Sequence, residues 1–101
     1  MIFITIRDDM VHPDGIERMA KDFQQMLSTG GVRVGIVGTE ATQMIAVANS
    51  IREMIEIRKF AVSMENVLSV EYDKSRFPGN YITKEEADKH NLKMPEEHDE
   101  L

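Results

Sequence analysis

The chain has 101 residues, 42% of them apolar and 30% charged, a size and balance that allow one soluble domain with one modest core. A formal charge of −6 without a clustered Lys/Arg face excludes sequence-independent binding to nucleic-acid phosphates, and the lack of cysteine excludes disulfides and thiolate metal sites. No stretch approaches the roughly 20 apolar residues of a membrane span, so no membrane partner is expected.

In residues 2–7, IFITIR, Ile2, Ile4 and Ile6 alternate with Phe3, Thr5 and Arg7, which predicts a strand buried largely on both faces. Pro13 and Asp14 then mark a helix start, with Asp14 as the cap and Glu17, three residues on, as its capping-box partner. Ile16, Met19, Ala20, Phe23, Met26 and Leu27 form one apolar stripe, while Glu17 with Lys21 and Arg18 with Asp22 make i,i+4 pairs on the wet side. Thr29-Gly30-Gly31 ends this helix. VRVGIV, residues 32–37, reads as a second strand, and the strand-helix-strand order predicts a right-handed parallel crossover.

Gly38-Thr39 reads as the opening of a second helix with Thr39 as its cap and a stripe of Met44, Val47, Ala48, Ile51, Met54 and Ile55. Beyond Arg58 the apolar set moves to Ile57, Phe60, Ala61 and Met64, roughly 140° around the axis at about 100° per residue. A hairpin through Glu65-Asn66 competes, but it pairs Val62 with Ser69 and Phe60 with Glu71, mixing apolar with polar, so one long helix ending near Asn66 is preferred. VLSVEY, residues 67–72, is the third predicted strand, followed by a turn-rich loop. Thr83 and Glu86 form a second capping box, for a short polar helix at 84–92. Residues 93–101 carry charge and Pro95 and read as a flexible acidic tail behind a single domain at 1–92. The predicted fold is thus a small α/β unit, strand-helix-strand-helix-strand, with a parallel three-stranded sheet.

The last four residues, His98 to Leu101, spell an endoplasmic-reticulum retention address. The opening segment has no basic n-region, and its apolar run stops at Arg7, Asp8 and Asp9, so the address reads as a coincidence and the expected location is cytoplasmic.

In a parallel sheet, ligands collect beyond the carboxyl ends of the strands, where three loops would converge. These bring Asp8, Asp9, His12 and Asp14; Gly38, Thr39 and Glu40; and Asp73, Lys74, Ser75 and Arg76. A helix start at Gly38-Thr39 offers free N–H groups to an anion, although Glu40 beside it opposes one. Lys74, Ser75, Arg76, Phe77, Asn80 and Tyr81 combine cations, an amide and two aromatics in one loop, a mix suited to a nucleotide-like ligand. A loop whose Phe77 and Tyr81 tuck onto the core accounts for the same residues.

Asp8, Asp9 and His12 have the character of a divalent-metal or acid–base site, and equally of a solvated loop. On the second face of the long helix, Ile57, Phe60 and Met64 are the candidate oligomer interface. The functional expectation is a non-enzymatic, homo-oligomeric binder of a small anionic or nucleotide-like ligand, with no cofactor implied. The alternatives are an interaction or inhibitor protein that binds another protein through an acidic surface and an apolar helix face, and a small metal-assisted hydrolase.

Overall fold

Strict alternation makes β1, Ile2–Ile6, the central strand: Ile2, Ile4 and Ile6 are all fully buried, and both edges of the strand are paired. A computed structural model describes residues 1–93. After β1 a 3-10 turn, Asp8–Met10, leads to α1, Ile16–Thr29. The expected Asp14 cap does not form. The helix begins after Gly15, whose φ of 101° suits glycine, and the Asp14 backbone N–H donates instead to Nδ1 of His12 at 3.0 Å. Met19, Ala20, Phe23 and Leu27 are the buried residues of the α1 stripe, and Gly30 closes the helix as expected.

The segment expected to start a long helix folds otherwise. β2, Gly35–Glu40, turns directly into β3, Gln43–Val47, as an antiparallel hairpin. The α-helical spacing of Met44, Val47 and Ala48 competes with a period of two in which Met44 and Ala46 are buried opposite Ile4 and Ile2. Pairing wins because it satisfies the free backbone edge of β1, which a helix there would leave open. The helix proper is α2, Ile51–Val62, and its cap is Ser50, whose Oγ accepts from the Glu53 N–H. β4, Val67–Tyr72, and β5, Ser75–Pro78, form a second hairpin. α3, Lys84–Lys89, carries the Thr83–Glu86 capping box read from the sequence. The expected acidic tail, apart from Lys93, lies outside the described residues.

The strand order is β2-β3-β1-β4-β5, and every neighbouring pair is antiparallel, so the expected parallel three-stranded sheet is wrong. β1 and β2 do run in the same direction across α1, but β3 is inserted between them. This is the split β-α-β connectivity of ferredoxin-like sandwiches, with β5 added beside β4. α1 and α2 cover one face of the sheet, where Phe23, Ile57 and Ala61 pack on the buried residues of β1, β3 and β4. A smaller cluster of Leu68, Ile82 and Ala87 docks α3 separately. Arg7 ties this corner together: its Nε donates to Glu86 at 2.9 Å and its Nη1 to the Glu65 carbonyl at 2.9 Å. Gly79, between β5 and α3, has no room for a side chain, since a Cβ there would collide with the Val67 carbonyl.

Candidate functional site

The antiparallel sheet separates the loops that a parallel one would have gathered. Phe3 lies opposite Glu71 and Ile6 opposite Val67, so β4 ends beside the start of β1. The Asp73–Lys74 turn is therefore at one end of the sheet, and Asp8, Asp9, Gly38 and Thr39 are toward the other. No single site at the strand ends can use both groups.

Gly38 and Thr39 are not a helix start. They lie within β2, where Gly38 is opposite Met44 and the Thr39 hydroxyl donates to the Gln43 carbonyl at 3.2 Å. Glycine at 38 leaves room for the start of α1, since a Cβ there would come within 2.6 Å of Ile16 Cγ2 and 2.9 Å of Glu17 Oε1. Among the aromatics of the following hairpin, Phe77 is already engaged. Its ring stacks on Tyr72 with centroids 5.4 Å apart, and the Arg58 guanidinium sits 4.6 Å from its centre. Arg58 Nη1 also donates to the Tyr72 hydroxyl at 3.4 Å.

Arg76 is on the other face of the sheet, opposite Glu71, while Lys74 and Ser75 are exposed at the turn. Asn80 and Tyr81 are exposed in the connection to α3, with the Asn80 N–H bonded to the Val62 carbonyl at 2.8 Å.

The expected interface residues serve the fold of the single chain. Ile57 is fully buried, Phe60 meets Phe23 edge-on with centroids 5.6 Å apart, and Met64 packs against the same core. With α2 shortened to 12 residues, its second apolar stripe is the one that faces the sheet. Asp8 pairs with Lys89 at 3.7 Å, and the His12 Nδ1 that accepts from Asp14 also lies 3.9 Å from the Asp14 carboxylate. Among the described residues no group of three or more His, Asp or Glu side chains is placed to hold a metal.

What the fold does assemble is a row across the open face of the sheet, opposite α1 and α2. Val37 lies opposite Ile45, Ile45 opposite Phe3, Phe3 opposite Glu71, and Glu71 opposite Arg76. Val37 is 56% exposed and Phe3 36%, and Val47, on the same face one pair along β3, is 54% exposed. An apolar half and an oppositely charged pair thus share one face. The signal was present in IFITIR, where Phe3 stands among the alternate residues, but sequence alone could not say that this second face stays uncovered. No known protein family matches the chain, and no curated protein matches its sequence. Among the described residues no helix is long and apolar enough to cross a membrane.

Proposed function

We propose that the protein is a non-catalytic interaction module that self-associates through the open face of its sheet, in the cytoplasmic setting expected from the sequence. The observation that carries this is the row of exposed Val37, half-buried Ile45 and exposed Phe3, ending in Glu71 and Arg76. Side chains on the uncovered face of an antiparallel sheet are ordinarily polar, because that face meets water. Here three adjacent strands place apolar groups on it instead, and adjoining exposed apolar residues of this kind mark association surfaces.

A second copy is the occupant that suits the row. A two-fold axis running across the strands lays the apolar half on its own equivalent, as isologous interfaces require.

Sedimentation velocity over about 1–100 µM, a range that brackets dissociation constants of ordinary interfaces, tests this directly. The wild type is expected to show a concentration-dependent dimer, and Phe3→Asp or Val37→Asp a monomer that melts cooperatively. A wild type that stays monomeric throughout, or a Phe3→Asp protein that dimerises equally well, overturns it.

A further inference from the structure

Away from the sheet face, four of the eight methionines meet in one place. Met10, Met19, Met26 and Met64 line a cleft of about 410 Å³ between α1, the segment after the 3-10 turn and the α2–β4 connection, with Val11 and Phe23. A further hollow bordered by Asp22, Gln25, Met26 and Thr29 continues it along α1. From Met19 to Thr29 the groove follows about 15 Å of helix, nearly three turns at 1.5 Å per residue. That length suits a docked helix better than a small molecule.

Two observations identify the chemistry of the occupant. The rim is acidic: Asp9 borders the cleft with no ion pair among the described residues, and Asp22 has only an exposed i,i+4 partner, Arg18 at 3.3 Å. His12, on the same rim, accepts at Nδ1 from the Asp14 backbone N–H at 3.0 Å. The wall contains Asn66, whose Oδ1 is buried without any hydrogen-bond partner. An orphaned acceptor closed off behind the lining is met only by a donor that enters as the side chains around it shift. Thioether side chains are flexible and can rearrange over an incoming apolar group, which is why methionine is favoured on surfaces that accept helices.

We infer that this groove docks a basic amphipathic helix of a partner protein, its apolar side chains on Met10, Met26 and Met64, its cations on Asp9 and Asp22, and an N–H donor reaching Asn66. The overall charge of −6 draws such a partner in and discourages an acidic one. The proposal is independent of self-association, since the groove lies on the helical side of the sheet.

The test uses the full chain, labelled at the methionine methyl groups, and a synthetic Leu/Lys peptide of about 14 residues in helical repeat. A matched peptide with Glu in place of every Lys is the control. The Leu/Lys peptide is expected to move the Met10, Met26 and Met64 methyl signals and leave those of Met44 and Met54 in place. Met26→Lys, at an exposed position that tolerates the change, is expected to weaken binding at least tenfold, and Asp9→Asn about threefold. Asn66→Leu removes the unsatisfied acceptor, so it should weaken binding while raising the melting temperature. Failure of the Leu/Lys peptide to move the cleft signals, equal effects from the Glu peptide, or unchanged affinity in Met26→Lys overturns the proposal.

Discussion

Glu86 shows how one side chain can cap its own helix and tie it to the end of β1. Burial by itself would raise its pKa, but the hydrogen bond from Arg7 and that from the Thr83 backbone outweigh burial and hold the carboxyl below its ordinary value near 4.5. A depressed carboxylate stabilises the fold above its ordinary pKa, and that contribution is lost as pH falls through the lower, folded value. Glu86→Gln is therefore expected to cost about 1–2 kcal/mol at neutral pH, the scale of a partly exposed charge-assisted bond, since glutamine keeps the acceptor that the Thr83 N–H uses. In urea titrations the gap between wild type and Glu86→Gln should stay constant from about pH 6 upward and narrow below about pH 4.5 as the wild-type carboxylate takes up its proton. A gap that widens on acidification would mean that the Arg7–Glu86 contact does not carry the effect.

At the scale of elements, the two hairpins differ in how they are specified. β2 is an outer strand, and it meets the free-edge problem with a side chain: the Ile36 N–H donates to Gln24 Oε1 of α1 at 3.0 Å. The β4–β5 turn is built on Asp73 and Lys74 with φ of 52° and 65°, the left-handed pair that a two-residue hairpin turn demands. Lysine is poorly suited to that region, where its Cβ crowds the following carbonyl. Lys74→Gly is expected to stabilise the protein by about 1 kcal/mol net of glycine's greater unfolded freedom, raising the melting temperature by roughly 4–8 °C. Calorimetry of the single variant checks this. The same mismatch is why SRFP reads as loop in the sequence, since no Asn-Gly or Asp-Gly announces the turn.

For the whole molecule, the sheet separates two surfaces. The open face carries Phe3, Ile45 and Val37, whereas the methionine groove lies on the side covered by α1 and α2. Phe3→Asp should accordingly abolish self-association and leave the affinity for the Leu/Lys peptide within about twofold of wild type. Fluorescence anisotropy on both proteins at equal protomer concentration decides it. A parallel loss of both properties would show that the groove depends on the dimer.

Local patterning was legible without coordinates. The alternation in Ile2 to Ile6 named the central strand, the stripe from Met19 to Leu27 named α1 and its buried side, VLSVEY named β4, and Thr83 with Glu86 named the start of α3. Each of these signals lies within a few residues of chain, where side-chain direction and backbone capping are decided. What tertiary structure alone decided was everything set by pairing across distance. QMIAV became a strand because β1 had an edge to fill, and that insertion turned a parallel crossover into an antiparallel sheet. The reversal of β4 then carried Lys74 away from Asp8 and Gly38, and left Phe3, Ile45 and Val37 side by side on a face that no helix pattern in the chain could have assigned to water. The hydrophobic pattern records which residues avoid water, and the choice of the strand beside which each is buried depends on backbone hydrogen bonds between segments about 40 to 65 residues apart.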